Sequence, residues 1–252
     1  MTPGAIIITK NEGHNILACI NSLSFCSQVI VVDSGSIDGT AKIAAEAGAM
    51  VFVSEFKDYA SQKNFALKKA TAPWVLSVDA DERVSPELGQ EIIQRIHEAP
   101  SNVCGYSVPR RNVIFGRWLR YGACRGDRPI RLLRAHKAFF NGIVHETAII
   151  EGKTERLKSP LWHYSTPTVK KHVEKINRYS SLEAVRSLHK KAKRSGIHFF
   201  IRPFGSFVTQ FFFRIGVADG REGFLFACLS AYHEFVSLAK RWELESIPGG
   251  VA

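Results

Sequence analysis

Four short apolar runs, each followed by a helical pattern, constrain the first third of this chain to one architecture. Residues 5–9, 29–33, 50–53 and 74–79 are rich in Ile and Val, too short for helices and too apolar for loops. Ile16, Leu17, Ile20 and Leu23 recur at helical spacing between the first two runs. Residues 41–47 and 59–70 supply the next two helical segments, the latter carrying Gln62, Lys63 and Asn64. Alternation of this kind predicts the α/β class, with a mostly parallel central sheet flanked by helices on both faces. In such sheets ligands bind beyond the carboxyl ends of the strands. Thr9, Asn11, Asp33, Asp38, Asp79 and Asp81 all fall at or just past such ends. A single polar residue there would mean nothing, but a set of them marks a ligand edge.

The fourth run, Val-Leu-Ser-Val-Asp-Ala-Asp, ends by placing Asp79 and Asp81 one residue apart. On an extended backbone such residues point to the same side, so both carboxylates can reach one hard cation. Mg²⁺ or Mn²⁺ held by one or two carboxylates completes its shell with substrate phosphates and water, which suggests a nucleotide diphosphate. Two competing chemistries fall away. A dinucleotide site needs Gly-x-Gly-x-x-Gly after the first strand, and this chain has Thr9-Lys-Asn-Glu-Gly13. A nucleotide triphosphatase needs Gly-x-x-x-x-Gly-Lys-Ser/Thr, which is also missing.

Ile-Ile-Ile-Thr-Lys-Asn-Glu, Val-Val-Asp-Ser-Gly-Ser-Ile-Asp-Gly-Thr, Ala-Ser-Gln-Lys-Asn and Asp-Ala-Asp-Glu, in that order, resemble the family 2 glycosyltransferases of the GT-A fold. Arg-Pro-Ile-Arg-Leu-Leu-Arg134, Asn-Gly-Ile-Val-His-Glu146 and Leu-Trp-His-Tyr164 resemble one branch, the bacterial lipopolysaccharide inner-core transferases that add a glucose-type sugar. The resemblance implies a GT-A domain over residues 1–165 and assigns roles. Thr9, Asn11, Glu12, Asp33 and Asp38 would line the nucleoside pocket, although Asp33 also suits a cap of its own loop. Lys63 would neutralise a phosphate or remain a solvated helix lysine. Asp79 would contact the ribose or the metal, Asp81 would ligate Mn²⁺ or Mg²⁺, and Glu82 would extend that site or begin the next helix. His163 is a further metal-ligand candidate against an ordinary structural histidine. Inverting transfer needs a base, for which Glu146 is the candidate and His145 the rival. Strand alternation sends these two to opposite sides, so only one can serve. Arg131 and Arg134 would grip acceptor phosphates or form ordinary ion pairs.

The chain has 252 residues and a formal net charge of +11. Much of the excess lies in residues 168–198, where Lys170, Lys171, Lys175, Arg178, Arg186, Lys190, Lys191, Lys193 and Arg194 face only Glu174 and Glu183. Phe204, Phe207, Val208, Phe211, Phe212 and Ile215 then follow a helical stripe. Residues 166–252 therefore read as a basic, Phe-rich helical appendage lying on an anionic membrane surface. Packing of the stripe as extra core is the competing reading. Nucleic acid is disfavoured, because no recognition motif accompanies the lysines. Five scattered cysteines without a Cys-x-x-Cys, and no basic-then-apolar leader, suggest reduced thiols in the cytoplasm. The sequence thus predicts a hexosyltransferase at the inner face of the cytoplasmic membrane. Its donor would be a nucleotide-diphospho-sugar such as UDP-glucose and its acceptor a lipid-anchored saccharide. A polyprenyl-phosphate acceptor and a non-catalytic sugar- or nucleotide-binding module are the alternatives.

Overall fold

The computed structural model describes residues 1–142, 146–188 and 196–246. His145 and the basic residues Lys190, Lys191, Lys193 and Arg194 lie outside the described residues. The chain divides into two compact units. The first comprises Met1–Arg111 and Gly126–Tyr164, and the second Asn112–Arg125 and Ser165–Ala252. The second unit thus contains a segment from within the expected 1–165 domain, so the division is not contiguous in sequence.

The first unit begins as the sequence pattern requires. Strand β1 (Gly4–Thr9), helix α1 (Ile16–Asn21), β2 (Gln28–Asp33), α2 (Thr40–Glu46), β3 (Met50–Val53), α3 (Tyr59–Lys69) and β4 (Trp74–Asp79) alternate without interruption. Asp58 starts α3 by accepting the Ser61 N–H at 2.7 Å, and Lys68 and Lys69 end it where cations suit the helix dipole. After β5 (Glu82–Val84), Ser85 caps α4 (Pro86–Glu98), whose first residue is proline, as helix starts favour. The unit continues with β6 (Val103–Ser107) and the first two residues of the strand β7 (Arg110–Ile114), then returns after residue 125.

Strands β8 (Arg117–Leu119), β9 (Ile130–Arg134), β10 (Ala138–Asn141), β11 (Thr147–Ile150), β12 (Lys153–Arg156) and β13 (Leu161–Thr166) complete the set. The main sheet has seven strands in the order β12-β6-β9-β4-β1-β2-β3. β4, β1, β2 and β3 run parallel, and β9 enters antiparallel beside β4. The register sets Thr9 opposite Asp33 and Ile8 opposite Asp79, so three polar residues line up along one carboxyl edge. Ile7, Val31, Leu76 and Leu132 are fully buried on one face with Ile16, Leu23, Leu88 and Ile92. Ile6, Ile30, Val32, Val75 and Leu133 fill the other face with α3. Both faces are dry, which is why these strands read as continuous apolar runs.

The second unit holds β8 and the turn before it, then α5 (Val169–Leu188), α6 (His198–Val208) and α7 (Gly220–Ser246). One turn of π-helix, Thr209–Phe213, follows α6 directly. Asp219 is buried and accepts the backbone N–H of Tyr121 at 2.9 Å and of Arg120 at 3.0 Å. Gly122 N–H donates to the Arg214 carbonyl at 3.0 Å. These bonds tie residues 112–125 to the C-terminal helices. Among the described residues, no helix is long and apolar enough to cross a membrane.

Candidate active site

At the carboxyl edge, the loops after β1 and β2 are stitched into one surface. Asp33 is buried, and its Oδ1 accepts the N–H groups of Gly35 at 2.9 Å and Ser36 at 2.8 Å. Its Oδ2 accepts from the Ser36 hydroxyl. Asp38 accepts the Gly13 N–H at 2.9 Å and the Thr40 hydroxyl, and these bonds hold its carboxyl below the usual carboxylate range. Asn11 adopts the left-handed conformation at φ 55°, which Asn tolerates better than most residues. Its side-chain oxygen accepts the Ile37 N–H at 2.9 Å, and its own N–H donates to the Ser36 hydroxyl at 2.8 Å. Glu12 donates its N–H to the Thr40 hydroxyl at 2.9 Å. The carboxylates of Asp33 and Asp38 therefore cap loops. They fix the backbone of these loops, with their own hydrogen-bonding capacity largely taken. Thr9 is buried with its hydroxyl unpartnered, at the base of this edge.

A chain of alternating charges runs beside these loops. Lys63, 1% exposed, points from α3 to Asp79 Oδ1 at 2.9 Å and to Glu146 Oε1 at 2.7 Å. It is neither a solvated helix lysine nor a free cation waiting for phosphate. Arg131, on β9, reaches Asp79 Oδ2 and Glu82 Oε1 through one nitrogen. Glu82 is fully buried, and its second oxygen accepts the Asp79 N–H at 2.9 Å. Arg110 extends the chain, 3.3 Å from Glu82 and 2.8 Å from Asp127. Burial alone would raise the Asp79 carboxyl, but Arg131 and then Lys63 outweigh it and hold it well below the usual carboxylate range. Burial likewise opposes charge on Arg131, yet Asp79 and Glu82 keep it above the ordinary guanidinium value. A buried pair stripped of one partner leaves an uncompensated charge, so the set stands or falls together.

For both Arg131 and Arg134 the structure shows the alternative to an acceptor grip. Arg131 is buried and forms ion pairs with Asp79 and Glu82. Arg134 pairs with Trp74 at the start of β4, at the opposite end of the strand from Asp79. It donates to the carbonyls of Val103 at 2.8 Å and Pro100 at 3.2 Å and stacks on the Trp74 ring. Its position follows from β9 running antiparallel, which the sequence pattern did not reveal. Arg110 and Asp127 were not singled out from sequence, since neither sits in a motif; only their partnership with Glu82 marks them.

Asp81 stands just beyond the end of β4. Strand β13 pairs antiparallel with β5, setting His163 opposite Glu82, and Tyr164 N–H donates to the Asp81 carbonyl at 2.8 Å. This brings His163 Nε2 to 3.2 Å from Asp81 Oδ2. A carboxylate oxygen and an imidazole nitrogen in contact are two donors of the kind a divalent cation takes. Both Asp79 oxygens are already held by cations, so Asp79 does not complete the pair. Among the described residues, no three His, Cys, Asp or Glu side chains form a closed metal cage. The donor set therefore fits an open site, in which substrate oxygens and water supply the remaining ligands.

Comparison with known proteins gives the family. Residues 5–150 match the model of glycosyl transferase family 2. The chain is 31% identical over 252 residues to LpsC of Rhizobium meliloti, a lipopolysaccharide core biosynthesis glycosyltransferase, covering 96% of this chain and 93% of that protein. It is 32% identical to an uncharacterized glycosyltransferase of Rickettsia typhi, over 94% of this chain and 86% of that protein. The fold is also similar to glucosyl-3-phosphoglycerate synthase from Mycobacterium tuberculosis in complex with phosphoglyceric acid, with a TM-score of 0.54 and 15% identity. That match covers 77% of this chain and 82% of the other. The same enzyme in complex with Mn²⁺, UDP and phosphoglyceric acid gives a TM-score of 0.53, 14% identity and coverage of 77% and 80%. The first unit, with its parallel strands, its stitched carboxyl edge and its charge chain, carries all of the matched segment but residues 112–125, and the protein belongs to glycosyl transferase family 2.

Proposed function

We propose that this chain is an inverting hexosyltransferase that moves a sugar from a nucleotide-diphospho-sugar to a lipid-linked saccharide, with UDP-glucose as donor and the lipopolysaccharide inner core as acceptor. The observation that carries the chemistry is the meeting of Glu146 and Asp79 on one lysine at the carboxyl edge of the sheet. The two residues are far apart in sequence, and Lys63 sets both carboxylates beside one another at the loops after β1, β2 and β4. Full-length likeness to a lipopolysaccharide core transferase supports the acceptor class. The Mycobacterium tuberculosis enzyme, solved with Mn²⁺ and UDP, supports the donor class by likeness of fold alone.

In this reading Glu146 accepts the proton of the acceptor hydroxyl as that oxygen attacks the anomeric carbon. Lys63 fixes the direction of the Glu146 carboxylate, so no reorganisation is needed when the proton moves. Asp79 is held by Arg131 and Lys63 and braced from below by Glu82, and it orients the ribose side of the donor. The backbone of the Asp33–Asp38 loop walls the nucleoside. Asp81 and His163 would hold a divalent cation, Mn²⁺ or Mg²⁺, whose charge stabilises the departing nucleoside diphosphate. The basic second unit keeps the enzyme at the anionic inner face of the cytoplasmic membrane, where a lipid-anchored acceptor is presented.

Mass spectrometry of core oligosaccharide from a strain lacking the gene tests the reading. The expected result is a core truncated by one hexose and restored by the wild-type gene but not by a Glu146→Gln copy. An unaltered core in the deletion strain would overturn the acceptor assignment. Purified enzyme that releases no UDP from UDP-glucose, with or without Mn²⁺, would overturn the donor assignment.

A further inference from the structure

The helix α6 presents an apolar stripe that is largely exposed among the described residues. Ile197, Phe200, Ile201 and Phe204 follow the i, i+3, i+4, i+7 spacing of a single helix face. They are 56%, 78%, 58% and 71% exposed. Phe199, on the other side of the segment, packs edge-on against Phe235 of α7. Phe207 continues the stripe, seven residues after Phe200, but is packed: it stacks on Phe211 at 5.5 Å, with Phe224 of α7 against both. The stripe is therefore packed at its C-terminal end and bare from Ile197 to Phe204. The π-turn directly after it adds Phe212 and Phe213, also largely exposed. Isolated surface apolar residues are ordinary, but a contiguous exposed apolar stripe marks a binding face.

Charge selects the occupant. The second unit holds 17 of the chain's 34 Lys and Arg residues and only 7 of its 23 Asp and Glu residues, so it carries +10 of the formal net charge of +11. From Gly196 to Ala218 there is no acidic residue, while Arg202 and Arg214 are interspersed with the aromatics. Bare aromatics with only basic charges among them suit the boundary between anionic headgroups and acyl chains. The helix has 11 residues, which suits lying in that boundary and not crossing it.

Resting on the membrane-surface reading above, we propose that α6 is the element that enters the bilayer, through Ile197, Phe200, Ile201 and Phe204, with Phe212 and Phe213 extending the insertion. Phe207 and Phe211 stay inside the unit as the hydrophobic backing of the wedge. The basic helix α5 contributes long-range attraction to anionic lipid but does not itself insert.

Co-sedimentation of full-length protein with vesicles tests this, using phosphatidylcholine alone or mixed with phosphatidylglycerol. Wild type is expected to bind the anionic vesicles, and Phe200→Ser/Ile201→Ser/Phe204→Ser to lose more than about 100-fold in partitioning, since each such side chain contributes about tenfold or more when buried. A Phe204→Trp variant reports insertion directly: its fluorescence should shift to the blue and be quenched by brominated phosphatidylglycerol. UDP release from UDP-glucose by the triple variant is expected to match wild type, which separates failure of this inference from failure of the catalytic reading. A triple variant that binds anionic vesicles as tightly as wild type overturns the proposal. So does emission from the Phe204→Trp variant that vesicles leave unchanged, or light scattering that finds a wild-type dimer split by the triple substitution, which would make the stripe a contact between copies.

Discussion

At the scale of single residues, the catalytic reading depends on Lys63 serving two carboxylates at once. Replacing it with Met, of similar length and no charge, leaves Glu146 without its cation and Asp79 with Arg131 alone. Removing one partner of a buried pair costs about 3–5 kcal/mol. We expect Lys63→Met to lower unfolding stability on that scale in urea titrations and to reduce turnover at saturating donor. Unchanged stability would show that the ammonium is not paired in solution. Glu146→Gln isolates the base: turnover should fall about 10²–10⁴-fold while UDP affinity by calorimetry holds within a few-fold. Equal losses in affinity and turnover would make Glu146 a donor contact. The candidate residues were legible in the sequence because Asp-x-Asp, Lys63 and Glu146 each sit in a motif. Their partnerships were not. Asp33 was readable as a ligand contact or a loop cap, and the structure shows the capping bonds, from the backbone N–H groups of Gly35 and Ser36, which carry no sequence signature. Arg131 was open between an acceptor grip and an ion pair, because nothing in a sequence states that β9 lies beside β4.

At the scale of elements, the first four strands and three helices were legible to within a residue or two, because apolar runs buried on both faces leave a strong local pattern. The Phe stripe was read only in part. A helical wheel groups Phe204, Phe207, Phe211 and Phe212 together, but the stripe is covered only where α7 reaches it: Phe207 and Phe211 meet Phe224, while Phe204 and, beyond the frame shift of the π-turn at Thr209–Phe213, Phe212 stay exposed. His172 of α5 illustrates a second element-level effect. Its ring lies edge-on between Phe115 and Phe226, at 5.6 and 5.7 Å. Burial, with help from Lys175 and His233, lowers its pKa from 6.5 to about 4. The folded helix then refuses a proton that the unfolded chain accepts. Its contribution to stability is complete above pH 6.5 and is lost as pH falls toward 4. Thermal melts of wild type should therefore lose more between about pH 7 and pH 5 than melts of His172→Phe. Parallel losses in the two proteins would show that the imidazole titrates normally.

For the whole molecule, the two units differ in charge as well as in architecture. The first, which carries the charge chain around Asp79, is nearly neutral, and the second is strongly basic. The rise in basic charge after residue 165 is legible in the sequence. The excursion of Asn112–Arg125 into the second unit is not, because its anchors, Asp219, Arg214 and Glu222, lie about a hundred residues downstream. The excursion has a consequence for dissection of the chain. Cutting after Tyr164 strips Ile114, Leu119 and Cys124 of the helices that accompany them and leaves Asp219's two backbone donors unpaired. Residues 110 and 127 are already joined by a backbone hydrogen bond of 2.9 Å, so a short Gly-Ser link can replace residues 112–125 without stretching the first unit. A 1–164 fragment carrying that link should be monomeric by light scattering and melt cooperatively. The same fragment with its native 112–125 should aggregate. In the full chain, Asp219→Ala should cost about 1–3 kcal/mol per buried N–H left unsatisfied. If both fragments prove equally monomeric and equally stable, residues 112–125 fold with the first unit and the discontinuous boundary is wrong.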